Sequence, residues 1–250
     1  NTIGLLASLD WLAGGWRDLW KAPATFLTYG LVIAFLCGLV SLALVTSGMA
    51  LWAVILAAGF VFVAPLLAMG MYEGGRLIET GQKPTLSRIA FVRPAFRADV
   101  MFLGLVLFFI FGVWAELVQI TYGLATSRFY RTLDELIAFA TGTPAGNGML
   151  FWGSVIGGVM AWLTFCIVVV SAPMLLDRRR DFFIAVVTSV RCVARNTLPM
   201  MAWAAIIATL ILISVATGFA GLIVVFPWLG LASWRAYRSL VKQSAPQNTP

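Results

Sequence analysis

The sequence predicts an all-α membrane protein: six transmembrane helices in three helical hairpins, amphipathic interfacial helices between them, and both termini in the cytoplasm. Three observations predict it. The first is composition: the 250 residues are 61% apolar and 11% charged, too little charge to cover the surface of a soluble domain. The second is six apolar runs, 26–45, 49–72, 100–122, 149–176, 198–217 and 219–234, each at or near the ~20 residues that cross a bilayer core. The third is where the cations stand. Fifteen of the seventeen lysines and arginines fall in four stretches on one side: Arg17 and Lys21; Arg76, Lys83, Arg88, Arg93 and Arg97; Arg178, Arg179, Arg180, Arg191 and Arg195; and Arg235, Arg238 and Lys242. Only Arg128 and Arg131 lie opposite, which is the positive-inside pattern of a six-span membrane protein with both ends in the cytoplasm.

Each element follows in order. Near the N-terminus Leu5, Leu9, Leu12, Trp16 and Leu19 share one helical face, and Asp10, Gly14, Arg17 and Lys21 the other, as in a helix lying in the interface plane. Asp10, Asp18 and the early tryptophans are unlike a signal peptide, and residues are expected to precede Asn1. Turns at 46–48 and around Gly218 are too short for anything but tight connections, so spans one and two, and five and six, should be neighbours. Gly81, Pro84 and Pro94 break 73–99 into short pieces. On the outer side, 128–140 is amphipathic and 141–148 leads back into span four. In 181–195, Phe183, Val186, Val187, Val190 and Val193 oppose Asp181, Thr188, Arg191 and Arg195, with Asp181 as the helix cap.

A repeat is visible. Each even-numbered span ends in a proline, apolar residues and then a charge: Pro65 to Glu73, Pro173 to Asp177 and Pro227 to Arg235. The chain thus reads as one domain over 1–242, with units of about 1–80, 81–180 and 181–242, a pseudo-threefold arrangement, and a flexible tail over 243–250. Pro65, Pro173 and Pro227 should kink their helices. Small residues four apart, Gly30, Ala34 and Gly38 in span one and Gly153, Gly157 and Ala161 in span four, should let helices pack closely, within the bundle or against another subunit.

Candidate chemistry is sparse. The chain has no histidine, which removes imidazole metal and haem ligation and His-based nucleophilic pairs. Cys37, Cys166 and Cys192 show no CxxC spacing, and no P-loop, GxSxG or HExxH occurs. No catalytic residue, metal ligand or cofactor is therefore expected, nor an enzyme. Glu116 is the only charged residue in a predicted span, in its outer third: a snorkelling or hydrogen-bonded structural carboxylate, or alternatively a transport or proton-carrying one. Arg178, Arg179 and Arg180, with Arg93 and Arg97 four apart, offer guanidinium forks to anionic phosphate headgroups, or form a solvated exit flanked by Asp177 and Asp181. The basic excess points to lipid rather than nucleic acid.

Specific residues then carry a resemblance: Trp16-Arg17-Asp18-Leu19; Pro65, Gly70, Tyr72 and Glu73; Gly81 with Pro84; Pro173-Met174-Leu175-Leu176-Asp177-Arg178; Thr188-Ser189 with Arg191; Thr217-Gly218; and Pro227, Leu229, Gly230, Trp234, Tyr237 and Arg238. From about Trp11 to about Val241 the chain resembles a bacterial family of integral membrane proteins known only as a domain of unknown function. The resemblance implies the six-span fold and no activity. Members often carry histidines in the closing segment where this chain has Leu231 and Arg235, so no role tied to them transfers.

The expectation is a non-catalytic accessory or assembly subunit that docks on a larger membrane complex, respiratory or photosynthetic, through other integral subunits and lipid contacts. The alternative is a small-solute or lipid transporter of three hairpin repeats. A third reading is a lipid-modifying enzyme using Asp177 and Asp181.

Overall fold

The computed structural model describes residues 3–4, 6–92, 98–178 and 181–241. Arg93, Arg97, Arg179, Arg180 and the tail from 242 lie outside the described residues. Among those described there are eleven α-helices and no strand. In order these are α1 (Ala7–Leu19), α2 (Pro23–Thr46), α3 (Ala50–Leu67), α4 (Met69–Glu79), α5 (Leu86–Ala90), α6 (Ala98–Ala125), α7 (Leu133–Gly142), α8 (Pro144–Asp177), α9 (Phe182–Arg195), α10 (Thr197–Ala216) and α11 (Leu222–Leu240).

Five helical segments are long and apolar enough to cross a membrane: α2, the continuous stretch of α3 and α4, α6, α8 and α10. At most a third of each apolar window is buried inside the protein, as lipid-facing helices require. The apolar part of α11 falls short because Arg235 and Arg238 occupy its last turns. It is instead the central helix. Eleven of its nineteen residues are buried, and α1, α2, α4, α8 and α10 all pack against it. Close approach depends on glycine. A Cβ on Gly15 of α1 would stand 2.7 Å from the backbone nitrogen of Ala232, and Gly30 of α2 lies against the Ile223 carbonyl.

That carbonyl is the one whose helical amide partner Pro227 removes, so α2 seats on the polar group the proline leaves without its usual donor. The other prolines are accommodated differently. Pro65 precedes a bend at Ala68, where α3 gives way to α4 and the Tyr29 hydroxyl donates to the Leu67 carbonyl at 2.7 Å. Ahead of Pro173, the Ser189 hydroxyl of α9 donates to the Cys166 carbonyl at 2.7 Å and accepts from the Val170 amide at 3.2 Å. Those two groups pair with each other in an unbroken helix, so Ser189 is inserted into the backbone ladder of α8.

The amphipathic helices differ from expectation in which face touches the protein. In α1 the buried stripe is Ser8, Trp11, Gly15, Asp18 and Leu19, while Leu9 and Trp16 are exposed. In α9 it is Phe182, Ala185, Ser189 and Val193, while Phe183, Val187 and Val190 face outward. Part of each apolar face stays exposed, and a mixed stripe of small, polar and large apolar residues meets the bundle. The helix expected over 128–140 starts only at Leu133, because Thr132 and Glu135 form a capping box there. The preceding segment is held by the Tyr122 hydroxyl, which donates to the Arg128 carbonyl at 2.7 Å and accepts from the Tyr130 amide at 3.2 Å.

Candidate functional site: a charged layer around the last helix

The last turns of α11 put Trp234, Arg235, Tyr237 and Arg238 where α1, α4 and α8 also bring carboxylates. Asp18 of α1 accepts from Arg235 Nε at 2.6 Å and from Lys21 Nζ at 2.8 Å, and is buried. Burial alone would raise its carboxyl, but the hydrogen bonds from Arg235 and Lys21 outweigh that and hold it below the usual carboxylate range. Glu73 of α4 is buried as well and takes a two-pronged contact from Arg76 at 2.6 and 2.8 Å. Glu79 pairs with Arg238 at 3.1 Å.

Asp177 ends α8, where a negative charge opposes the helix dipole. Three groups offset this. The Tyr237 hydroxyl donates to Asp177 at 2.7 Å, and Arg178 and Arg238 approach it at 3.5 and 3.6 Å. Burial first, then the hydrogen bond to Asp177, pushes the Tyr237 phenol well above its ordinary value. Arg235 and Arg238 in turn sit at the C-terminal end of α11, the end that favours cations. The guanidinium of Arg238 lies 5.8 Å from the Trp234 ring. The layer is a set of mutually neutralised pairs that locks four helix ends together. Among the described residues, no three His, Cys, Asp or Glu side chains stand together as a metal site.

The structure joins some sequence candidates and separates others. Arg178 joins this layer through Asp177. Asp181 caps α9, accepting from the Phe183 amide at 2.8 Å. Pro65 lines an apolar cavity beneath the layer, together with Thr164 and Tyr72, while Pro173 and Pro227 sit in the surrounding core. Gly30 and Ala34 pack within the bundle, but a Cβ on Gly38 or Gly153 would meet nothing within 4 Å. Gly157 reaches only the Trp114 ring nitrogen, and Ala161 borders the cavity. Glu116 stands apart from both layer and cavity. It is exposed on α6, eighteen residues past Ala98 or about 27 Å along the helix, with no partner among the described residues.

Asp18, Glu73 and Glu79 were not singled out by sequence reasoning as members of one site. Asp18 and Arg235 are 217 positions apart, and no local spacing links them. The available signal was the coincidence of acids near span ends with the closing arginines.

Comparison with known proteins adds the family alone, since no curated protein and no solved structure matches the chain. The matching family model spans residues 51–177, from the start of α3 to the end of α8, and so leaves α1 and α11 outside it. Its description agrees with five membrane-length helices and an exposed apolar surface: the chain belongs to the predicted integral membrane protein family DUF2189.

Proposed function

We propose that the protein is a non-catalytic accessory or assembly subunit of the bacterial inner membrane that docks on a larger membrane complex. In this reading α11 completes six spans in three hairpins, and the charged layer and both termini face the cytoplasm. The lysines and arginines crowded at that end support the orientation, and anionic headgroups are their natural counterparts. Reporter fusions at the two ends test it; termini on opposite faces would overturn it.

The observation that carries docking is Glu116. A carboxylate exposed on the outer third of a span is costly in lipid unless another chain supplies a cation or hydrogen-bond donor. The uncovered Gly38 and Gly153 are compatible with close approach of such a chain. Transport is less well supported, because Glu116 faces away from the apolar cavity that a solute path would use. Purification in mild detergent, with mass spectrometry of co-migrating membrane proteins, tests the proposal. Wild-type protein should bring down an integral partner that Glu116→Gln loses. A solitary wild-type chain under every gentle condition would overturn it. Respiratory and photosynthetic assemblies are the first to examine.

A further inference from the structure

Below the charged layer, α3, α4, α8, α10 and α11 surround a partly open cavity of about 120 Å³. An apolar cavity of about 150 Å³ admits one benzene ring, so the space is of ring size. Its wall is mostly apolar and rich in aromatic rings, with Phe60, Phe165 and Phe226 among the lining residues. Three hydroxyl side chains also line it: Thr164, Tyr72 and Ser233.

Thr164 is the telling one. It is 1% exposed, and its Oγ1 is buried with no hydrogen-bond partner. Elsewhere Thr46, Thr121, Thr141, Ser171, Thr188 and Ser214 all donate to the carbonyl four residues back. Thr164 has the Met160 carbonyl at that spacing and does not use it. The Tyr72 and Ser233 hydroxyls likewise make no hydrogen bond among the described residues. Val61 and Val169, whose carbonyls lose their usual amide partners to Pro65 and Pro173, line the same space. Empty protein cavities are apolar, and unpaired buried hydroxyls are unfavourable. Of the lining hydroxyls, Thr164 Oγ1 is the fully buried one without a partner, and a carbonyl oxygen in the cavity would supply the acceptor it lacks.

We propose that this cavity binds a membrane-soluble lipid carrying carbonyl oxygens on an apolar frame, with Thr164 as the buried hydrogen-bond donor and the phenylalanines as flanking walls. A quinone ring and the ester region of a phospholipid share that chemistry. The inference is independent of docking, since it is read on the isolated chain.

The test uses full-length protein in detergent. Lipids retained through purification are extracted and identified by mass spectrometry, and a short-tailed benzoquinone and a short-chain phosphatidylcholine are each titrated. The expected result is one carbonyl-bearing molecule held per chain. Thr164→Val should weaken it roughly tenfold, the scale of one buried hydrogen bond. Ala161→Phe, which fills the cavity, should abolish it, and Thr197→Val, outside the cavity, should change nothing. Quinone binding alone assigns the ring; phospholipid alone assigns the ester. Should either cavity variant fail to fold, the wild-type extraction and titrations decide. Retention of neither molecule, or binding indifferent to Thr164→Val and Ala161→Phe in folded protein, would overturn the proposal.

Discussion

Helices α2 and α11 show opposite relations between hydropathy and position. No charge occurs from Pro23 to Thr46, yet only four of the twenty-four residues of α2 are buried, all before Cys37. Helix α11 carries two arginines and has eleven of nineteen residues buried. Lipid is as apolar as any side chain, so burial brings an apolar helix little, whereas polar groups gain by finding partners inside the protein. In this fold apolarity marks the periphery, and the less apolar helix α11 is the axis.

The sharpest way to break that comparison lies within α2 itself. Gly30→Leu would drive a side chain into the Ile223 backbone carbonyl and separate α2 from α11, at a cost of about 3 kcal/mol. Gly38→Leu meets open space and should stay within about 0.5 kcal/mol. Thermal unfolding in detergent, followed by dye labelling of the partly buried Cys166 and Cys192, reads both. Equal effects would mean that α2 is not anchored through its first half alone.

Next in size is the Asp18–Arg235 pair. Arg235→Gln leaves the buried carboxylate with Lys21 alone, and we expect a loss of about 2 kcal/mol, moderated because Arg235 is partly exposed. The pH dependence has a definite sign. The Asp18 carboxyl is depressed in the folded state, so its contribution is present above the ordinary carboxylate range near 4 and is lost as pH falls through the lower folded value. Asp18→Asn should flatten that acid limb in melting curves. An unchanged acid limb would show that the layer's stability rests on other carboxylates.

The inserted Ser189 is a smaller lever. Ser189→Ala removes its bonds to Cys166 and Val170 and should cost about 1 kcal/mol, with faster amide exchange in α8 near Val170. Unaltered exchange there would mean that α8 closes its own ladder once the hydroxyl is gone.

The helices were legible in the sequence because lipid imposes a length and an apolar run on every span. The run over 26–45 became α2, and 100–122 became α6, each within a few residues. Faces were less legible. Amphipathicity marks the division between water and an apolar medium, and in α1 and α9 that medium is lipid as well as protein. Leu9, Phe183 and Val187 are therefore exposed and Trp16 only edges onto Trp228, while Ser8 and Ser189 are buried. The charged layer was hidden for a different reason: Asp18 with Arg235, Glu79 with Arg238, and Asp177 with Tyr237 meet only once the chain has folded, and each is an ordinary helix-end group when read alone. Thr164 was hidden because a threonine within an apolar run normally bonds its own helix.

The smallest expected effect on the isolated chain sits at the residue farthest from that layer. Glu116 touches no partner among the described residues, so Glu116→Gln should leave monomer unfolding within about 0.5 kcal/mol of wild type. If docking is its role, co-purification of an integral partner falls away in the same variant, and stability and assembly separate at one position. Gly30→Leu should lose both together, since α2 no longer seats on α11. A Glu116→Gln protein that unfolds early as a monomer would place the carboxylate inside the chain's own stabilising network, and would erase the distinction between an axis that holds the fold and a periphery left open to other chains.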